Sequence, residues 1–211
     1  MSYVIKEIFY TLQGEGSRSG RPAVFCRFSG CNLWTGREVN RSSAICQFCD
    51  TDFVGTDGTD GGIYKSASDL VAVIDRCWPK NFDAPKYVVC TGGEPLLQLD
   101  GALVEALHER GFEVAIETNG TQIPPDGIDW ICVSPKAGAE LKLTHGNEIK
   151  VVVPQSGIDL DYLSGLDFEN FYLQPMDSKD IDENIKFAIT YCLENPVWSL
   201  SLQMHKMIGI R

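Results

Sequence analysis

The sequence predicts an α/β fold, a shortened and open barrel of mostly parallel strands, on three observations. Through the middle of the chain short apolar runs alternate with segments of helical period, and a strand–helix–strand order calls for crossover connections and a parallel sheet. Each apolar run then ends in polar residues. Finally, 211 residues with three helical segments fall short of a closed eight-fold α/β barrel, which takes roughly 250 residues.

The elements follow in order. Strands are predicted at Val4–Leu12, Ala23–Phe28, Tyr87–Thr91, Glu113–Glu117, Trp130–Ser134, Glu148–Val153, Asn170–Gln174 and Val197–Met204 from apolar or alternating runs. Helical period marks Ser68–Cys77, Asp100–Arg110 and Lys179–Leu193, with Ser68 and Asp100 as N-caps, Gly111 as a C-cap and Pro196 as a stop. The run Gly55-Thr-Asp-Gly-Thr-Asp-Gly-Gly62 reads as a flexible polar loop; a single copy without stacked strands is no calcium repeat. No repeat or linker-like break divides residues 1–211, so one domain is expected, with an insertion at about 32–45.

The carboxyl ends of the strands carry Gln13 and Glu15; Arg27; Thr91 and Glu94; Glu117 and Asn119; Ser134 and Lys136; Gln174 and Asp177; His205 and Lys206. Strands must end in polar turns in any case, but in parallel α/β architectures the connecting loops converge there on a ligand. Seven such endings predict a shared cavity. In Ala23-Val-Phe-Cys-Arg-Phe28, Val24, Cys26 and Phe28 share one face, Phe25 and Arg27 the other. Arg27 then points inward, either to bind a carboxylate or to form a structural ion pair with Glu15 or Glu117.

Charge limits the partners. A net charge of −11 repels phosphate backbones and argues against general nucleic-acid or anionic-membrane binding, though it leaves room for a small local basic pocket. The amino-terminal stretch holds Lys6 and Glu7 and is no signal peptide, and no apolar run approaches a membrane span. Eight cysteines without a secretion signal point to reduced thiols in the cytoplasm.

Cys31, Cys46 and Cys49 are spaced C-x14-C-x2-C. Three thiolates hold three irons of a cubane and leave the fourth open for chemistry, whereas a structural cluster takes four. Cys-x2-Cys is also common in zinc sites, but a closed site needs a fourth ligand at ordinary spacing. Cys26, Cys77, Cys90, Cys132 and Cys192 lie in apolar strands and helices and read as core residues. Phe48 is either a core aromatic or a platform for an adenine. The strand at Tyr87–Thr91 runs into Gly92-Gly-Glu-Pro95; two glycines allow close backbone approach, and Glu94 offers a carboxylate to an ammonium group.

The cysteine triplet with Phe48 before its last member, together with Gly92-Gly-Glu-Pro95, resembles the cluster and methionine-binding motifs of the radical S-adenosylmethionine superfamily. That superfamily commonly spaces its cysteines C-x3-C-x2-C, and the fourteen residues between Cys31 and Cys46 depart from it. With Thr11-Leu-Gln-Gly-Glu-Gly16, Cys49-Asp-Thr51, Glu117-Thr-Asn-Gly120 and Ser134-Pro-Lys136, the long insertion resembles the 7-carboxy-7-deazaguanine synthase family over nearly the whole chain.

The resemblance implies an abbreviated radical-SAM-type partial barrel, a homodimer in the cytoplasm, and conversion of 6-carboxy-5,6,7,8-tetrahydropterin to 7-carboxy-7-deazaguanine with loss of ammonia, toward queuosine. It implies that Cys31, Cys46 and Cys49 hold a [4Fe-4S] cluster reduced by a flavodoxin or ferredoxin, and that Thr51 binds Mg2+. S-adenosylmethionine, regenerated in each cycle, would meet Gly93 and Glu94 at its methionine end and Phe48, Ser134, Lys136, Gln174, Met176 and Asp177 around its nucleoside. Leu12, Gln13, Gly14, Glu15, Arg27, Thr91, Glu117 and His205 are the expected substrate contacts, with the terminal carboxylate of Arg211 closing the site. A protein-activating enzyme that makes a glycyl radical and a zinc-binding module are the competing readings.

Overall fold

The computed structural model describes residues 2–80 and 84–211. Its sheet has nine strands: β1 (Tyr3–Leu12), β2 (Pro22–Phe28), β3 (Gly62–Tyr64), β4 (Lys86–Gly92), β5 (Phe112–Thr118), β6 (Trp130–Val133), β7 (His145–Val153), β8 (Asp167–Pro175) and β9 (Trp198–Leu200). The strand order is β3-β1-β2-β4-β5-β6-β7-β8-β9, an open sheet. From β2 to β9 every neighbouring pair is parallel, while β1 runs antiparallel to both β2 and β3.

The helices are α1 (Ala67–Cys77), α2 (Gly101–Glu109), α3 (Leu160–Ser164), α4 (Ile181–Glu194) and α5 (Met204–Ile208). Leu70, Val71 and Ile74 of α1 and Leu103, Val104 and Leu107 of α2 are buried at helical spacing. They join Val24, Cys26 and Phe28 of β2 and Val88 and Cys90 of β4 in one core. A second core gathers Ile149, Val151 and Val153 of β7 with Leu173 and Trp198 under Ala188 of α4. Phe25 and Arg27 face the other way, into a cavity, as the alternation in β2 predicts.

Several expectations are corrected. The N-cap of α1 is Ser66, whose hydroxyl accepts from the Asp69 amide at 3.2 Å, not Ser68; Asp100 does cap α2. The strand expected over Val197–Met204 stops at Leu200, and the chain turns into α5, so His205 stands on a helix. The strand β3 and the helix α3 were too short to show a period. The Gly55–Gly62 run is not a free loop. The Ile8 amide donates to the Thr59 carbonyl and the Gly58 amide to that of Lys6, and the Lys6 ammonium is held by Asp52 and Asp57, each at 2.7 Å.

The antiparallel β1 also changes why Gln13 and Glu15 matter. The end of β1 lies beside the start of β2, Leu12 opposite Pro22, away from the carboxyl ends of the parallel strands. The residues after β1 instead cross the inner face of the sheet. The Gly16 amide donates to the Ser201 hydroxyl and the Ser17 amide to Glu148. Arg18 then lies 4.1 Å from the Trp130 ring centroid and 3.0 Å from Glu113, and Arg21 lies 3.8 Å from the Tyr87 centroid. These guanidiniums sit at the amino ends of β4, β5 and β6 and floor the space inside the sheet.

Candidate active site

Above that floor the sheet curls around a cavity of about 410 Å3. It is lined from β1, β2, β4, β5, β7 and β8 and from the loops holding Cys31, Cys46 and Cys49. Every expected site residue reaches this lining except Glu94.

Glu94 is fully buried beneath the lining. One carboxylate oxygen accepts from the Thr118 hydroxyl at 2.8 Å and the Leu96 amide at 3.0 Å, the other from the Asn119 amide at 2.8 Å. The side chain ties the turn after β4 to the end of β5. Burial raises its pKa against these donors. Here the Glu94 carboxylate accepts from protein donors alone, a structural role. The glycines before it do make a close approach. A Cβ on Gly93 would lie 2.1 Å from the Gly30 carbonyl oxygen and 2.9 Å from Cys31 Cβ, and Gly92 has φ +136°, a conformation open to glycine. The Glu94 amide donates to Gly30 at 2.9 Å, so β4 is pinned to the loop that carries the first cysteine.

The cysteine loop returns through a short 3-10 turn, Glu38–Ser43. Arg41 fixes its far end, donating to the Gln47 and Cys49 carbonyls at 2.9 and 3.0 Å while stacking on Trp34. Cys46 and Cys49 share a hydrogen bond that lowers the Cys49 pKa to about 6 and raises that of Cys46. Half-buried Lys136, whose ammonium donates to the Ser134 carbonyl and hydroxyl at 2.7 Å each, favours their thiolates. Phe48 lies between them, its ring centroid 6.0 Å from that ammonium.

Charges divide the cavity into two poles. On β1 and β2, Glu7 pairs with Arg27 at 2.9 Å and with Arg211, whose guanidinium lies 4.5 Å from the Phe9 ring centroid. Arg27 therefore has its ion-pair partner in Glu7, not in Glu15 or Glu117. Across the sheet, Lys150 of β7 pairs with Glu15 at 2.7 Å and Glu117 at 2.9 Å. Gln13 donates to Glu117 at 3.1 Å, and Gln203 to Glu15 at 3.0 Å. Burial works to raise the Glu15 pKa, but the Lys150 ammonium prevails and holds it at about 2. Glu7 and Lys150 were missed at the level of sequence.

The carboxyl-terminal residues close the seam between β9 and β1. The Met204 amide donates to the Gly14 carbonyl, and the Thr11 hydroxyl to that of Arg211. Lys206 bridges Asp50, beside Cys49, and Asp177, after β8, at 2.5 and 2.6 Å. His205 packs so tightly on Gly14 that a Cβ there would lie 2.3 Å from its Nδ1. Thr51 lines the same cavity, while its neighbours Asp50 and Asp52 are engaged by Lys206 and Lys6.

A cavity at the inner face of a parallel sheet, with three thiols on one wall beside a Gly-Gly turn, defines a class. Residues 40–154 match the Radical SAM superfamily, and the chain is a radical S-adenosylmethionine protein; Cys31 lies ahead of the matched span. A protein of Bradyrhizobium diazoefficiens named 7-carboxy-7-deazaguanine synthase is 60% identical over 211 residues, covering 100% of both chains. One of the same name from Bacteroides thetaiotaomicron is 43% identical over 98% of each. The crystal structure of QueE from Escherichia coli matches with a TM-score of 0.72 and 31% identity, over 97% of this chain and 95% of that one. The chain belongs to the 7-carboxy-7-deazaguanine synthase family.

Membership implies a [4Fe-4S] cluster and S-adenosylmethionine, and the donors present fit them. All three thiols line one cavity, and a cubane takes each thiolate at a different iron. All eight cysteines are free. No helix among the described residues is long and apolar enough to cross a membrane.

Proposed function

We propose that the chain converts 6-carboxy-5,6,7,8-tetrahydropterin to 7-carboxy-7-deazaguanine and ammonia. The observation that carries this reading is the two-pole cavity beside the thiols. The substrate has a carboxylate at one end and, at the other, a ring N–H next to an amino group. Arg27, held by its Nε to Glu7, keeps its remaining N–H groups for the carboxylate, with Arg211 at the rim. Glu15 and Glu117 keep lone pairs for the N–H edge. The net reaction loses ammonia without oxidation, which agrees with a cofactor returned unchanged.

Cys31, Cys46 and Cys49 hold the cluster in this reading. When bound, the cluster and S-adenosylmethionine supply the one-electron chemistry that removes a hydrogen from the pterin carbon and later returns it. Gly93 would meet the methionine end, while Phe48, Ser134, Lys136, Gln174, Met176 and Asp177 surround the nucleoside. Leu12, Thr91 and His205 complete the wall around the pterin, and Gly14 lets the His205 ring approach. The carboxyl-terminal seam and the arginine floor keep water out. Thr51 offers one hydroxyl to Mg2+, whose octahedron water and substrate oxygens would complete. A flavodoxin or ferredoxin is the proposed electron donor, in a cytoplasmic homodimer; free thiols at the site support a reducing compartment.

The test is anaerobic reconstitution with iron and sulfide, addition of dithionite, S-adenosylmethionine and the tetrahydropterin, and mass spectrometry of the product. A brown protein that bleaches near ~400 nm and yields the deazapurine supports the reading. A bleachable cluster without product would move the assignment to another substrate, such as a protein glycine, and a colourless zinc protein would overturn it.

A further inference from the structure

Strand β7 carries an inward ammonium. Lys150 is 3% exposed, in the middle of a strand that otherwise alternates Glu148, Lys150 and Val152 on one face with Ile149, Val151 and Val153 on the other. Burying a charged lysine is costly unless it is paired, and here its partners lie on other elements: Glu15 after β1 at 2.7 Å and Glu117 on β5 at 2.9 Å. The groups facing it are completed by Cys132 on β6 and by Glu148 on its own strand, with the Lys136 cation further off; Glu15 is faced as well by the His205 ring of α5. Glu148 is already engaged by the Ser17 amide at 2.9 Å and the Cys132 thiol at 3.4 Å. Each of the other two carboxylates spends one oxygen on Lys150 and the other on a glutamine amide, Gln203 for Glu15 and Gln13 for Glu117.

We propose that Lys150 is the positioning residue of the substrate site, holding Glu15 and Glu117 side by side so that their open lone pairs accept from the adjacent ring N–H and amino group of the pterin. The inference rests on the reaction proposed above. Its physical basis is mutual. Two carboxylates facing one buried space repel, and one of them takes up a proton unless a cation lies between them. With the ammonium in place both remain acceptors; a protonated Glu15 would present a donor to a donor. Lys150 need not touch the substrate to decide whether it binds.

The experiment compares the natural chain with the Lys150→Met and Lys150→Arg variants after reconstitution, following KM and kcat for the tetrahydropterin from about pH 6 to pH 9, with cluster absorption as the control. Lys150→Met is expected to keep its cluster band and to raise KM about tenfold or more at the acid end, with kcat changing less. That KM should recover as pH rises, because Glu15 without its counter-ion ionises only at higher pH. The natural chain and Lys150→Arg, which keeps the charge, should lack this limb. A Lys150→Met variant with the natural KM at every pH would overturn the proposal, as would a loss of affinity that does not vary with pH. Should Lys150→Met fail to fold, Glu15→Gln and Glu117→Gln carry the test: each should raise KM with the cluster band intact, and an unchanged KM in both would overturn it. If the natural chain itself makes no deazapurine, the functional reading fails instead.

Discussion

Replacing Glu94 by glutamine separates holding the fold from holding a ligand. The carboxylate accepts three hydrogen bonds at 2.8–3.0 Å with no solvent contact. A glutamine has the same shape but one acceptor oxygen. If that oxygen replaces the one facing Leu96 and Thr118, the new NH2 meets the Asn119 amide; if it faces Asn119, the NH2 meets the Leu96 amide. The Thr118 hydroxyl can rotate to accept, so one backbone N–H is orphaned either way. An orphaned buried donor together with weaker, uncharged bonds costs about 2–3 kcal/mol. At roughly 2–4 °C per kcal/mol in a chain of this size, the apo protein should melt about 4–12 °C lower. Urea unfolding of the apo chain reads this directly, with S-adenosylmethionine binding to the reconstituted protein measured alongside. Natural stability with abolished S-adenosylmethionine binding would refute the structural reading and restore Glu94 as a ligand to the methionine ammonium.

Two further predictions concern the poles. Arg27→Ala should weaken substrate binding by about 1.5–3 kcal/mol, the value of a charge-assisted hydrogen bond, and leave the cluster spectrum unchanged; loss of the cluster band would show that Arg27 supports the sheet instead. Because the Glu15 pKa is depressed in the folded chain, its pairing with Lys150 contributes stability that is fully present above about pH 4.5 and lost as pH falls toward about 2. Urea midpoints followed through that window should decline less steeply for Glu15→Gln than for the natural chain, and parallel curves would show that Glu15 is not the group responsible.

Much of the fold was legible because the parallel strands are buried on both faces and read as dense apolar runs. Seven of the eight expected strands lie within observed ones to within a residue or so, and the inward face of β2 was fixed by alternation alone. What misled were elements whose partners lie far along the chain. Nothing local marks β1 as antiparallel, so Gln13 and Glu15 were placed at the cavity by the wrong route: they reach it because the chain crosses the inner face, not because a strand ends there. The segment after Leu200 keeps a mixed apolar pattern, yet Gln203 and Lys206 are drawn to Glu15, Asp50 and Asp177, and tertiary contact replaces the expected strand with α5. Gly92-Gly-Glu-Pro95 was read as letting backbone approach a ligand, whereas its glycines here admit Phe28, Gly30 and Cys31; the burial of Glu94 depends on Thr118 and Asn119, which no spacing relates to it.

The missed counter-ions, Glu7 and Lys150, share a signal that was available. Each is a charged residue inside a strand, and in a sheet covered on both faces such a residue must meet an opposite charge or be neutralised. Glu148 and Lys150, two positions apart on β7, point to the same side; that side therefore had to be polar, and the ligands of its charges had to come from other strands. The acids flagged at strand ends, Glu15 and Glu117, were the ones left without a cation once Arg27 is given to Glu7. Matching buried charges between elements, rather than reading each strand end for itself, would have joined Lys150 to both. It also explains how an acidic chain keeps a cationic pole: Glu7 fixes Arg27 and Arg211 without exhausting their N–H groups, just as Lys150 fixes Glu15 and Glu117 without exhausting their lone pairs. Each pole is thus set by a counter-ion behind it, and its binding capacity is what that counter-ion leaves free.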